Sequence, residues 1–572
     1  MGTDKIREIA RKYAIKNAID YGKADIGSVL GKVIPFAKGT PVPEIKAEVE
    51  SAVKEVNKLK RADLEKEYDK HKEEFGKKAE ETVKKTSKPK MELPGAVTGK
   101  FATRWPPEPS GYQHIGHAKP MFLEQEFVRM YKGRFFLYFD DTNPEKETQE
   151  FVDADKRDLE WLGIKFDDEY YASDNLEKIY DCAKKLIKDG NAYVCFCKQE
   201  SMKKKRVEME ECEHRNAQPK NNLAEFDKML NGKYEDGAAV LRFKGDMKSS
   251  NTALRDPTIA RLKSTKHYRQ GSKYRVWPTY DLAAPIMDSI KGVTHVLRSK
   301  EYELRDELDT TILKALEMRV PIIVPFSRLN IRGNITHKRE IRKLISEGLI
   351  KDWDDPRLMT FIALKRRGIV PEAIKNFVLK VGITKTDSTV PLEMLLAENK
   401  KIINKFAWHL FFVDNPVQLK INEMKKKNVS MGLLPGSKFG NREYTTDGSL
   451  LISVKDAKML KNGENIRLKD FTDVKIASSG RNLIIANEEK AGLNSKILHW
   501  VSEKNSVKCK ILVPGHLLDE HGNVNHNSLQ IVEGYAEAYV NKLEEQEIVQ
   551  FERFGYCILD DKKKMQFIFI SK

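Results

Sequence analysis

The sequence predicts a multidomain α/β protein, and three patterns along the chain predict it. From Lys100 onward, short apolar runs alternate with helical patterns, as in a parallel sheet built from strands and crossover helices. A charged helical extension precedes that region, and beyond about residue 405 the pattern changes to short β runs broken by turn residues. At 572 residues, 40% of them apolar, the chain is long enough for several separate cores.

Residues 1–92 form the helical extension, since from Val42 to Lys85 apolar residues recur at helical spacing among Lys and Glu. The segment "TSKPKMELPGAVTG", with two prolines and two glycines, reads as a linker. Residues 93–345 make the parallel-sheet domain: "KFATRW" is a strand, Ala118 to Tyr131 a helix, "RFFLYFDD" a strand and Thr148 to Trp161 a helix. A more polar stretch at about 190–270 reads as an insertion, after which "YRVWPTYDLAAPIMDSIKGVTHVLRSKE" resumes the alternation. Residues 346–404 read as helical. In 405–572, "HLFFVDNPVQLKI", "NLIIAN", "FGYCIL" and "MQFIFI" predict one or two β-barrels.

Composition narrows the function classes. No run approaches eighteen consecutive apolar residues, and Met1 to Lys16 lacks the apolar core of a secretion signal, so a cytoplasmic protein without a membrane partner is expected. Six cysteines in so long a chain exclude a disulfide framework and leave room for one metal site. Lys and Arg number 102 against 85 Asp and Glu, and the net charge of +17 favours a polyanionic partner.

The richest stretch is "TRWPPEPSGYQHIGHAKP", Thr103 to Pro120. Its prolines and Ser110-Gly111 fix a tight loop, after which His114, Gly116 and His117 fall on the first turn of a helix, where unpaired backbone amides favour phosphate. Two imidazoles at i and i+3 lie on one side there and can donate to phosphate oxygens, while Gly116 lets a flat group approach the backbone. Taken alone, the pair reads more readily as helix-capping histidines.

"HIGH" after "PPEPSG" resembles the signature of the class I aminoacyl-tRNA synthetases, in particular their glutamyl/glutaminyl branch. "YFDDTNPEKE", "WLGIKFDDEYYASD", "YDLAAPIMDSIKGVTHVLRSKE", "FFVDNPVQL" and "VQFERFGYCILDD" are also similar to that branch, in the expected order, from about Lys100 to the end. The β-rich tail is similar to the archaeal and eukaryotic form. The resemblance implies a Rossmann-type parallel-sheet catalytic domain with an acceptor-stem-binding insertion, an N-terminal helical extension and C-terminal all-β barrel domains that bind the anticodon.

It also implies an ATP-dependent, Mg²⁺-assisted ligase that activates glutamate and passes it to tRNA(Glu), with tRNA(Gln) as a further candidate; a monomer is assumed, since nothing in the sequence speaks to oligomeric state. By resemblance His114, His117 and Lys338 are catalytic, and Pro109, Gly111, Gly116 and Arg339 join them around ATP. Asp140 would take the amino acid's α-ammonium, and Arg104, Tyr280 and Arg298 would surround its side chain. Two guanidiniums facing one pocket would demand a carboxylate, since a neutral amide would leave buried charge uncompensated. The family's second signature, a flexible lysine loop, is altered here to Ile335, Thr336, His337, Lys338, Arg339, so Lys338 would carry the phosphate duty with Arg339 or Arg332 adding charge.

Cys195, Cys197, Cys212 and His214 form a C-x-C, fourteen-residue spacer, C-x-H arrangement inside the insertion, a donor set that suits structural Zn²⁺ although the spacing inside each pair is short, with reduced buried thiols and a surface histidine as the alternative. The basic run "MKKKR" at 202–206 would lie beside the acceptor end of a tRNA. Three rivals remain at this point: a glutaminyl member, disfavoured by Arg298; a small-molecule nucleotidyltransferase, which needs no β-rich tail; and a catalytically silent tRNA-binding relative, favoured by the altered lysine loop.

Overall fold

The computed structural model describes residues 3–21, 23–37, 40–59, 61, 63–68, 92–382, 388–434, 436–437, 439–490 and 495–572. It divides into two compact units, Met1–Met91 and Glu92–Lys572. Part of the expected linker (86–91) and of the long helical pattern (69–85) lies outside the described residues.

In the first unit three helices, α1 (Thr3–Tyr21), α2 (Ile26–Val33) and α3 (Val42–Val56), share one core. On α3 the buried positions are Ile45, Val49, Ala52, Val53 and Val56, spaced three and four apart, the interval that lines one helical face.

The alternation after Lys100 builds a parallel sheet. Strands β1 (Ala102–Trp105), β2 (Arg134–Phe139) and β3 (Asp168–Tyr171) lie in the order β1-β2-β3, connected by α4 (Ile115–Tyr131) and α5 (Gln149–Leu162). β2 is buried on both faces from Phe135 to Phe139, as a strand with helices on either side must be. Helix α4 starts at Ile115 rather than at Ala118, because His114 caps it.

After β3 the chain passes through helix Leu176–Lys188 into a four-stranded antiparallel sheet: β4 (Ala192–Cys195), β5 (Val240–Phe243), β6 (Thr258–Leu262) and β7 (Val276–Pro278). The region is more regular than its polar sequence suggests. It returns through helix Tyr280–Ile290 to the parallel pair β8 (His295–Ser299) and β9 (Ile322–Phe326). β8 abuts β1: the Thr294 amide donates to Ala102 O (2.9 Å), and the Ala102 amide donates to Thr294 Oγ1 (2.8 Å). Strand order therefore reverses between β1 and β8, and the crevice beyond their carboxyl ends is where a ligand fits.

Residues 338–403 add helices at Lys338–Ser346, Phe361–Arg366, Pro371–Val381 and Leu392–Ile403. Two seven-stranded sheets follow. One has Trp408–Leu410 at one edge and Phe412–Asp414 at the other, with strands from 506–571 between them. Phe411 alone joins those edge strands, so the sheet has to curl until its edges meet, which makes it a barrel. The second sheet does the same with Lys496–Leu498 and Val501–Ser502, joined by His499 and the fully buried Trp500. Among the described residues no helix is long and apolar enough to cross a membrane.

Candidate active site

The crevice between β1 and β8 opens into a cavity of about 600 Å³. Arg104, His114, Gly116, His117, Asp140, Tyr280, Arg298 and Lys338 all line it, although they span 235 positions from Arg104 (104) to Lys338 (338), counted inclusively.

At the helix end, local geometry fixes the chemistry of both histidines. His114 has an extended backbone and caps α4; the Gly116 amide donates to His114 Nδ1 (3.1 Å), and the His114 amide donates to His117 Nδ1 (3.1 Å). With Nδ1 occupied as an acceptor, each neutral ring carries its hydrogen on Nε2. Burial, then the charge of Lys338, pulls His114 down to about 3, and burial, then His114, holds His117 well below its ordinary value. The capping reading of this motif does not preclude the ligand-binding one, because the backbone uses one nitrogen and leaves the other as a donor. The ring centroids lie 4.0 Å apart.

Gly116 has a reason that the sequence did not reveal. A Cβ there would stand 2.8 Å from Cε1 of His114, so glycine makes room for the capping ring as well as walling the cavity. Gly111 is absent from the wall: a Cβ on it would meet the Lys338 arm at 2.9 Å. Pro109 is buried behind the wall, where its carbonyl accepts the Thr148 amide (3.2 Å).

Lys338 begins its helix, and its Nζ lies 3.4 Å from the carbonyl of Glu108. Burial lowers its pKa, while buried Asp155 and then Glu108 oppose the shift. Arg339 and Arg332 are corrections, because both are exposed and neither reaches the cavity wall. On a helix the residue after Lys338 turns about 100° away, so adjacency in sequence does not mean adjacency in the site. A further cation on the wall is instead Arg328, which pairs with Glu301.

The residues expected around the amino acid require a larger correction. Arg104 is fully buried, and Asp288 holds it in a bidentate pair (Nε to Oδ1 2.7 Å, Nη2 to Oδ2 3.0 Å). Arg298 donates to Asp306 Oδ1 (2.8 Å) and Asp309 Oδ2 (2.6 Å). The two guanidiniums do face one cavity, but they do not lack counter-charge, so uncompensated positive charge cannot be what demands a carboxylate. Arg104 Nη1 is buried with no hydrogen-bond partner among the described residues. Asp140 also lines the cavity, and burial, then Glu108, pushes it up to about 7. Burial likewise raises Asp309 to about 7.

Sequence reasoning missed Asp288, Asp155 and Glu124, which lies in the same cavity wall. A signal existed in each case: an acidic residue at a position that helical spacing assigns to the apolar face. Asp155 lies three after Val152 and four before Leu159, and all three are buried. An acid so placed needs a cation or a proton.

Comparison with known proteins decides the family. Residues 100–405 match the family described as tRNA synthetases class I (E and Q), catalytic domain, and 408–486 and 497–560 match two anti-codon binding domains of the same group. The chain belongs to the class I tRNA synthetases of the E and Q branch. It is 40% identical over 99% of each chain to the glutamate–tRNA ligase of Nitrosopumilus maritimus. Identity is 38% to the glutamate–tRNA ligases of Cenarchaeum symbiosum, over 96% of each chain, and Pyrococcus furiosus, over 97%.

The synthetase has a second cluster in its antiparallel sheet. Cys195, Cys197, Cys212 and His214 place their ligand atoms all within 4.8 Å of one another. Cys195 Sγ is 3.8 Å from Cys212 Sγ and 3.9 Å from His214 Nδ1, and Cys197 Sγ is 3.5 Å from His214 Nδ1. Four soft donors around a tetrahedral ion with bonds of about 2.0–2.3 Å stand roughly 3.5–3.8 Å apart, so the donor set fits a metal of that size.

Proposed function

We propose that this synthetase activates glutamate with ATP and transfers it to tRNA(Glu). The observation that carries the reading is the single cavity that has paired guanidiniums and Asp140 at one end and two Nε2 donors with Lys338 at the other. Glutamate's α-carboxylate attacks the α-phosphorus of ATP, the bond to the β-phosphate oxygen breaks, and pyrophosphate leaves. A ribose hydroxyl of the tRNA's terminal adenosine then takes the glutamyl group, and AMP departs.

The protein's part is positioning and charge stabilisation rather than covalent chemistry. His114 and His117 donate from Nε2 to phosphate oxygens, and Lys338 neutralises charge on the departing pyrophosphate. Mg²⁺ accompanies the ATP phosphates, as is usual for this ion. Asp140 accepts from the α-ammonium, and Tyr280, Arg298 and the spare Nη1 of Arg104 hold the side-chain carboxylate. Because the guanidiniums are already balanced, selection against glutamine rests on donor geometry: a carboxylate accepts at both oxygens, whereas an amide turns an NH₂ toward one of the donors.

Zn²⁺ at Cys195, Cys197, Cys212 and His214 is part of the same proposal, supported by the donor spacing, and would tie the strand end at Cys195 to the loop at Cys212. Pyrophosphate exchange and charging of purified tRNA(Glu) and tRNA(Gln) with labelled glutamate and glutamine test the function. Charging with glutamate alone is expected. Charging with glutamine, or none with either, overturns the reading, and the tRNA(Gln) arm decides whether a second acceptor is used.

A further inference from the structure

Beside the cysteine cluster lies a buried arginine that does not line the cavity. Arg242, on β5, is only 1% exposed. Its Nε donates to the Asp256 carbonyl (2.8 Å), and its Nη1 lies 3.7 Å from Cys212 Sγ and 3.9 Å from Cys195 Sγ. The guanidinium also lies over the Tyr193 ring, 5.6 Å from its centroid.

The surrounding frame is polar and closed. Asp256 holds a left-handed backbone (φ 42°), and its carboxylate accepts from Tyr193 OH (2.8 Å), Arg215 Nε (2.9 Å) and the Gly245 amide (2.9 Å). Arg215 directly follows His214, and Tyr193 stands two residues before Cys195. A buried guanidinium is costly unless something negative meets it. Arg242 is fixed at Nε by a neutral carbonyl, and it turns its other end to two sulfurs.

We propose that Arg242 is a positioning residue of the metal centre, donating N–H···S hydrogen bonds to Cys195 and Cys212 and balancing the charge of the metal thiolates. Zn²⁺ with three thiolates and one neutral imidazole carries one negative charge, and Arg242 makes the buried group neutral. Both contacts come from the one nitrogen Nη1, while Nη2 is buried with no hydrogen-bond partner among the described residues. The planar guanidinium fixes Nη1 between the sulfurs, which a flexible lysine ammonium does less well. The inference rests on the zinc reading given above. Outer-shell hydrogen bonds of this kind hold ligands in orientation and tune the metal.

The test uses the full chain, wild type and with Arg242→Met or Arg242→Lys, and compares zinc content, zinc release to a chromophoric chelator and the thiolate-to-metal charge-transfer band after cobalt substitution. The wild type should hold one zinc. Arg242→Met should release it at least about tenfold faster and shift the cobalt band, and Arg242→Lys should recover part of both losses. A wild type without metal removes the zinc reading itself. One zinc in every variant, with equal release rates and an unmoved band, removes only the role of Arg242. If Arg242→Met does not fold, Arg242→Lys decides alone, and an unmoved band and an unchanged release rate overturn the proposal.

Discussion

At the amino-acid end of the cavity each guanidinium already meets protein carboxylates, Arg104 with Asp288 and Arg298 with Asp306 and Asp309. At the end proposed for the phosphates, by contrast, the two imidazoles are uncharged, and Asp155 and Glu108 oppose the loss of charge of Lys338. One end is a rigid, internally balanced frame that can discriminate by the direction of its hydrogen bonds. The other is a set of donors arranged around a place where charge builds up only during the reaction. The contrast suits the two duties, because a side-chain pocket has to reject near neighbours while a phosphate site has to stabilise a transient distribution of charge.

The largest effect should come from breaking the balanced frame. Arg104→Ala leaves Asp288 buried without its partner, and a stability loss of about 3–5 kcal/mol is expected in chemical denaturation, together with loss of glutamate activation. A variant of unchanged stability would mean that the pair is not the frame described. Next is the phosphate end: Lys338→Ala should lower ATP–pyrophosphate exchange at least about tenfold without a comparable rise in the KM for glutamate. An unchanged rate would remove the lysine's role.

A smaller effect separates the two ends by pH. Burial raises Asp140 to about 7, so it is ionised above that pH and takes a proton below it. The ionised form holds an ammonium far more strongly than the neutral acid, so the KM for glutamate should rise several-fold, roughly threefold to tenfold, between pH 8 and pH 6. In Asp140→Asn that pH dependence should disappear. The smallest effect is expected for Arg339→Ala. As an exposed residue off the cavity wall it should change exchange by less than about twofold, and a larger loss would restore the phosphate role that its sequence position suggests.

Much of this architecture is legible in the sequence because it is periodic or local. The strand and helix alternation after Lys100, the α3 spacing and the hairpin Gly555–Asp561 with Gln566–Ser571 follow from side-chain periods of two and of three to four. The histidine pair is legible because its capping bonds span at most three residues. What escaped depends on distance along the chain. Arg104 and Asp288 are 184 residues apart, and no local pattern announces that one neutralises the other. Arg339 escaped through helical phase: the altered loop gives the identity of each residue, but only the start of the helix at Lys338 decides which side faces inward. The barrels stood between these cases, since their strands were visible while their closure depended on which strands met.

That closure constrains how the molecule is made. The two edges of the C-terminal barrel are three-residue strands near 410, and their neighbours at 548–551 and 529–537 come more than a hundred residues later, after the whole second barrel. Early strands therefore leave the ribosome with open edges and wait unpaired, while the domain inserted between them can fold as soon as it emerges. The barrel can close only once residues 548–571 have emerged, so a chain stopped before them would carry an exposed, adhesive rim beside an already folded sheet at 416–502.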